Sequence, residues 1–158
     1  MPTLSAYFGP DRCAVDVSAP TKADAVAALV DLLAAAGKAP DRDALVRAVM
    51  EREALAPTGL GSDCAIPHAQ TDAVTETSLA AIRLAEPLDF SAPDGTPARL
   101  VFLIAGPKDS AALHLRLLSR LARTLCDPAF RAAAIAAPDA SSFAAAFLAT
   151  DPPENVTA

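Results

Sequence analysis

Hydrophobic residues recur at helical spacing in two segments near the start of the chain. The first segment follows Thr21, a residue type that favours helix N-caps, with Asp24 three positions later in an arrangement close to a capping box. Its alanine, valine and leucine pattern continues to Gly37, which predicts the end of the helix. The second segment follows Asp41 and ends near Glu53, with its apolar residues on one side. The pattern therefore predicts two consecutive helices.

Strand patterns precede and follow these helices. Residues Cys13–Val17 alternate weakly and predict a first strand, and residues 77–84 predict another. Residues 87–90 predict a short extended piece, and residues 93–96 a turn with Asp-Gly at its centre. Residues 100–104 are a continuous apolar run, which is typical of a strand covered on both faces.

Three further helices are predicted after this run. Ser110 is the predicted N-cap of a helix over Ala111–Leu125. The other two helices are short and begin at Asp127 and at Ser141 or Ser142. Helices before and after a central cluster of strands predict an α/β fold, a three-layer α/β/α sandwich with a central mixed β-sheet. We expect one domain over residues 1–150 and a C-terminal tail over residues 151–158.

Composition narrows the function classes. The 158 residues carry a formal net charge of −6, which argues against a nucleic-acid-binding face. The chain has three cysteines, which is an odd number, and they lie far apart in the sequence. This usage indicates reduced thiols in the cytoplasm. The N-terminus has no signal-peptide pattern, and the apolar stretches fall short of the ~20 residues of a membrane span. We therefore expect a cytoplasmic protein without direct membrane insertion.

The most distinctive local pattern lies in residues 57–68. Gly59 and Gly61 allow backbone conformations that other residues resist, and Pro67 fixes its own φ. His68 follows directly, and its ordinary pKa of about 6.5 leaves much of it as neutral imidazole, a nucleophile. The local pattern leaves open whether His68 is functional or a loop histidine without a role.

The other histidine, His114, lies about one turn into the third predicted helix, where helix N–H groups favour anions. It shares a face with leucines of that helix, so the spacing favours a core histidine with a hydrogen-bonded nitrogen. The chain has no phosphate-binding G-x-x-x-x-G-K-[ST] loop, no H-E-x-x-H and no G-x-S-x-G. Cys64 lies four residues before His68, and this single pair gives little support for a metal site. The sequence therefore predicts neither a metal nor a cofactor.

Several ordered motifs together resemble one family, the enzyme IIA domains of the bacterial phosphotransferase system of the fructose/mannitol/nitrogen-regulatory type. The central motifs are Arg52-Glu53, Thr58-Gly59-Leu60-Gly61 and Ala65-Ile66-Pro67-His68. The flanking ones are Lys22, Pro87-Leu88-Asp89-Phe90 with Asp94-Gly95, the apolar strand at 100–105 and Leu113-His114-Leu115. The resemblance extends over nearly the whole chain, from about Leu4 to Leu148.

The resemblance implies roles for three residues. His68 would accept a phosphoryl group from a phosphorylated HPr-like carrier and become phosphohistidine. His114 would donate a hydrogen bond to that group, and Arg52 would supply a charge-assisted contact to its oxygens. Such a transfer needs in-line positioning and charge stabilisation, and imidazole is both nucleophile and leaving group. Cys64 and Gln70 depart from the residue types often found at their positions, but neither departure touches the three residues.

Three functions fit this resemblance. The first is a sugar-specific IIA component that passes phosphate to a IIB protein. The second is a nitrogen-type regulatory module, in which phosphorylation of His68 switches binding to a target protein. The third is a non-catalytic scaffold, but the presence of both histidines and Arg52 argues against this function. The absence of an attached IIB-like or membrane domain from this sequence favours the regulatory reading.

Overall fold

The apolar run at 100–104 lies inside the central strand of a six-stranded mixed sheet in this computed structural model, which describes residues 3–151. The strands are β1 (Cys13–Val17), β2 (Gly59–Gly61), β3 (Cys64–Ala65), β4 (His68–Gln70), β5 (Ser78–Leu88) and β6 (Ala98–Gly106). Their order is β1-β5-β6-β3-β2, with β4 also paired to β6. Because β6 has neighbours on both edges and is covered on both faces, eight of its nine residues are buried.

The two edges of β6 differ in how they are paired. On one edge β5 runs antiparallel to β6 from Ser78↔Ala105 to Leu88↔Ala98. On the other edge the parallel strands β3 and β4 share β6 between them, β3 at Leu100 and Val101 and β4 at Ile104 to Gly106. The chain between β3 and β4 is only Ile66-Pro67, so His68 starts a strand directly after this interruption.

The helices form one layer on each side of the sheet. The helices are α1 (Lys22–Ala35), α2 (Arg42–Leu55), α3 (Ala111–Leu125), α4 (Pro128–Ala136) and α5 (Ala140–Leu148). α1 and α2 share a core with alternate residues of β5 and β6 such as Ile82 and Leu103. α3, α4 and α5 pack with the residues in between, such as Ala81 and Phe102. The predicted three-layer α/β/α sandwich with a central mixed sheet is confirmed.

Most helix caps follow the sequence signals. Ser110 lies at the N-cap position of α3 as predicted, although its side chain forms no capping hydrogen bond. The side chains of Thr21 and Asp41 accept hydrogen bonds from backbone N–H groups of α1 and α2, as predicted. The last helix is capped by Asp139, whose Oδ1 accepts from Ser142 N at 2.7 Å, so the prediction of Ser141 or Ser142 as its start was wrong. The Asp139 carboxylate accepts from the N–H group three residues after it, so both serines lie inside the first turn of a helix that begins at Ala140.

Other boundaries also differ from the pattern. The predicted extended piece at 87–90 is not separate, because β5 continues through Leu88 with register shifts between Arg83 and Leu88. The glycine segment contains the short β2–β3 hairpin, and α2 runs two residues beyond Glu53. The tail expected over 151–158 lies outside the described residues from 152 onward.

A buried arginine ties β5 to the end of α4. Arg83 is only 5% exposed, and its Nη1 lies 2.9 Å from Ala134 O and 2.6 Å from Ala137 O. Its Nη2 lies 3.3 Å from Asp16 Oδ1. Carbonyls at the last turn of a helix have no partner within the helix, so the guanidinium satisfies groups that would otherwise be buried without one.

We expect Arg83→Met to lower the free energy of unfolding by about 2–4 kcal/mol, because it leaves these carbonyls unpaired. Urea denaturation measures the change. Arg47→Met, at an exposed position of α2, is the matched control and should stay near wild type. Equal stability of the two variants would contradict the capping role of Arg83.

Candidate functional site

Two glycines let the β2–β3 hairpin approach the segment that follows β5. A Cβ on Gly59 would lie 2.6 Å from Phe90 O, and one on Gly61 would lie 2.6 Å from Asp94 Oδ2. Gly61 also has a φ of +88°, which side-chain-bearing residues rarely adopt. Asp94 Oδ2 accepts a hydrogen bond from Ser62 N at 2.9 Å. The hairpin before His68 is thus held against the predicted Asp-Gly turn.

A buried carboxylate holds the start of the same hairpin. Glu53 Oε2 accepts from Thr58 N at 3.0 Å, and Oε1 accepts from Thr58 Oγ1 at 2.5 Å. Lys22 Nζ, from the start of α1, lies 3.0 Å from Glu53 Oε2. Glu53 is 5% exposed, so these partners replace the water that would otherwise stabilise its carboxylate. Glu53 is not among the residues to which the sequence motifs give a role, although its spacing from Leu45 and Val49 places it on the buried face of α2.

His68 is oriented by the carbonyl two residues before it. Its Nδ1 lies 3.0 Å from Ile66 O. A carbonyl oxygen can only accept, so Nδ1 donates and the lone pair of the neutral imidazole is at Nε2. The ring is half-buried, and Pro67 O accepts from Ile104 N at 3.2 Å, which anchors the interruption to β6. Nε2 is therefore the nitrogen of the neutral ring that carries the lone pair.

His114 projects from the first turn of α3 toward His68. The two ring centroids are 5.4 Å apart at an interplanar angle of 56°. His114 is 4% exposed, which agrees with a core location. The expected hydrogen-bonded nitrogen is not found, because neither Nδ1 nor Nε2 has a partner among the described residues. Both ring nitrogens of His114 are therefore buried and unpaired within these residues.

His68, His114 and Arg52 line one cleft of about 370 Å³. The other residues lining it are Ala48, Ala69, Gln70, Ala111, Leu115 and Leu118. Arg52 is in the last turn of α2, where its Nη1 lies 3.4 Å from Ala56 O. The three residues singled out by the sequence are therefore brought together. Cys64 is not among the lining residues; burial raises the pKa of its thiol to about 12, which fits a packing role.

Both histidines are held neutral. Burial lowers the pKa of His68 below 6.5, and the positive charge of Arg52 lowers it further, against the opposing effects of Ile66 O and Glu53. Burial lowers the pKa of His114 to about 4, with smaller contributions from His68 and Arg52. At neutral pH the cleft therefore combines a neutral nucleophile, a second neutral imidazole and one guanidinium, an arrangement suited to receiving an anionic group.

A protein-family comparison identifies the type of domain. The model described as "Phosphoenolpyruvate-dependent sugar phosphotransferase system, EIIA 2" matches residues 6–149. The chain belongs to this EIIA family. The resemblance found in the sequence motifs is thereby confirmed.

Individual EIIA relatives differ in their named roles. A PTS system fructose-specific EIIA component from Haloferax volcanii is 47% identical over 105 residues, 66% of this chain and 68% of that protein. A nitrogen regulatory protein from Pseudomonas aeruginosa is 30% identical over 122 residues, 77% of this chain and 79% of that protein. A fructose-specific EIIABC component from Bacillus subtilis is 37% identical over 111 residues, 70% of this chain but 18% of its own length.

The crystal structure of nitrogen regulatory protein IIA-Ntr from Neisseria meningitidis has the same fold. It superimposes with a TM-score of 0.80 at 28% identity, covering 87% of this EIIA chain and 94% of that one. Within residues 3–151, no group of three or more His, Cys, Asp or Glu side chains is placed to hold a metal ion. Over the same residues, no helix has the length and apolar character needed to cross a membrane.

The neutral His114 makes stability depend on pH. Between pH 6.5 and about 4 the unfolded chain binds a proton that the folded chain excludes, so stability falls as the pH falls. His114 should account for up to about 3 kcal/mol of this loss. Urea unfolding at pH about 7 and about 4.5 measures it, with His114→Gln as the non-titrating comparison. The same pH dependence in wild type and variant would contradict the buried, neutral state of His114.

Proposed function

We propose that this EIIA chain is a phosphoryl carrier and that His68 Nε2 accepts a phosphoryl group from a phosphorylated HPr-like protein. The observation that carries the proposal is the bond from His68 Nδ1 to Ile66 O, which places the lone pair at Nε2. A bond forms between Nε2 and phosphorus while the bond from phosphorus to the donor nitrogen breaks, and the electron pair stays on the donor. The ring retains its Nδ1–H, and Ile66 O stabilises the positive charge that develops on it.

The neighbouring side chains supply donors for the phosphoryl oxygens. Arg52 is always charged and presents planar N–H groups. His114 is neutral, so only one of its nitrogens carries a proton to donate. Neither group competes with His68 as acceptor: a guanidinium has no lone pair available, and His114 is almost fully buried.

We expect His68→Ala to abolish phosphorylation, because it removes the proposed acceptor nitrogen. The protein is incubated with phosphoenolpyruvate, the general enzyme of the system and the carrier, and acid-labile phosphate is measured by intact mass. ³¹P and ¹⁵N NMR of the labelled wild type should place the phosphoryl group on Nε2. Phosphate that persists in His68→Ala would overturn the assignment of the acceptor.

Arg52→Ala and His114→Ala should each slow phosphorylation by roughly one to two orders of magnitude, because each removes a donor to the charged group. Rates of label uptake measure the effect, and circular dichroism checks that the fold persists. Arg47→Ala is the control for Arg52, since it removes an exposed arginine from the same helix. Wild-type rates in folded Arg52→Ala and His114→Ala would contradict their roles as donors.

Two destinations for the phosphoryl group have support. Transfer to a IIB protein is supported by the 47% identity to a fructose-specific EIIA component. The regulatory role favoured in the sequence analysis is supported by the similarity to IIA-Ntr, with its TM-score of 0.80. A phosphohistidine adds up to about two negative charges to the rim of the cleft, enough to change the affinity of a protein docked there.

Transfer and regulation can be separated by one set of samples. Phosphorylated wild type is mixed with a fructose-type IIB protein, and loss of label from His68 is followed over time. In parallel, partners are captured from the native cytoplasm with wild type, His68→Ala and His68→Asp. Rapid transfer with identical partner sets supports the sugar-specific role, whereas slow transfer with partners that depend on residue 68 supports regulation.

A further inference from the structure

Three buried polar atoms without a hydrogen-bond partner lie beside the proposed acceptor. Among residues 3–151, the buried side-chain N and O atoms lacking a partner are Thr77 Oγ1, His114 Nδ1, His114 Nε2 and Arg83 Nε. Buried polar groups are nearly always paired, so a group of them in one place marks a missing or functional contact. Arg83 Nε belongs to a guanidinium whose other nitrogens are bonded. The remaining three atoms belong to only two side chains, Thr77 and His114.

The sheet register explains why these two side chains converge. Ser78 pairs with Ala105, so Thr77 lies across from Gly106 at the end of β5. A Cβ on Gly106 would lie 2.9 Å from Thr77 Oγ1 and 3.5 Å from His114 Nδ1. Both atoms therefore lie close to Gly106, where any side chain would press against the Thr77 hydroxyl. On the opposite edge of β6, Gln70 of the strand that begins with His68 pairs with Gly106.

The protonation pattern of His114 decides whether it can assist the transfer. A neutral imidazole carries one proton, so Nε2 can donate only when Nδ1 is the acceptor. Hydrogen bonding at one ring nitrogen is what usually selects the tautomer. A hydroxyl can donate to Nδ1, directly or through one water molecule, and the second route needs polar atoms on both sides of the water.

We infer that Thr77 is a positioning residue for His114: its hydroxyl is linked to Nδ1 through one water molecule beside Gly106, and this link keeps the proton on Nε2. The inference rests on the proposed phosphorylation of His68, since the role of the Nε2 proton is to reach the incoming phosphoryl group. Thr77 itself touches no reacting atom. It acts by holding His114 in the one tautomer in which Nε2 is the donor.

The test compares Thr77→Val, which removes the hydroxyl while keeping the shape, with Thr77→Ser, which keeps the hydroxyl. Long-range ¹⁵N NMR of the unphosphorylated protein reports which nitrogen of His114 carries the proton. We expect the Nε2–H tautomer in wild type and Thr77→Ser, and a mixture or the Nδ1–H tautomer in Thr77→Val. Phosphorylation by the carrier should slow about fivefold in Thr77→Val and recover in Thr77→Ser.

Thr75→Val is the matched control, because it makes the same change at an exposed threonine two residues away. It should alter neither the tautomer nor the rate. An unchanged tautomer in folded Thr77→Val would overturn the inference, and so would a changed tautomer with a wild-type rate. If wild type takes up no phosphate while its tautomer depends on Thr77, the proposed function fails and the water-mediated link between Thr77 and His114 stands.

Discussion

The position of His68 depends on the contacts of the buried Glu53 carboxylate. This carboxylate joins the start of α1, through Lys22 31 residues away, to the end of α2 and to Thr58 at the start of the β2–β3 hairpin five residues later. Two hydrogen-bond donors and one cation contact the carboxylate. They stabilise in one position a buried charge that would otherwise destabilise the core. Removing any of these partners would leave a buried charge underpaired. Two sets of contacts therefore hold the hairpin that leads to His68. One set is made by Glu53, and the other is the close approach of Gly59 and Gly61 to the 90–94 segment.

Burial of the two histidines connects this scaffold to chemistry. Desolvation disfavours imidazolium, and the neighbouring guanidinium disfavours it further, so the site rests with one positive charge and two neutral rings. In the proposed carrier role, the guanidinium of Arg52 would attract the negatively charged phosphoryl group into this cleft.

Local patterns in the sequence predicted most elements, and non-local contacts account for what was missed. The run at 100–104, the caps Thr21 and Asp41, and the motif that ends at His68 are readable because each signal lies within a few residues. The predicted start of α5 was wrong because Asp139 and the two serines are all acceptable caps, and only backbone geometry selects among them. Helical spacing placed His114 in the core, yet its proximity to His68 depends on how α3 packs over β6. Glu53 was noticed only as part of the Arg52-Glu53 motif, because its cation partner Lys22 is 31 residues away. Thr77 carries no distinctive local signal, because His114 comes close to it only when α3 packs on the sheet.

The two ends of the described chain meet at one place. Asp151 Oδ1 accepts from Leu4 N at 2.7 Å and lies 2.9 Å from Arg120 Nη2, an arginine that is 6% exposed. Polypeptide added before residue 4 and after residue 151 would thus leave the fold side by side, as in a domain inserted at a single junction. A fold of this kind can be joined to other domains without a change in the order of its strands. That property suits a family whose members include a Bacillus subtilis protein in which the matching region makes up 18% of the length.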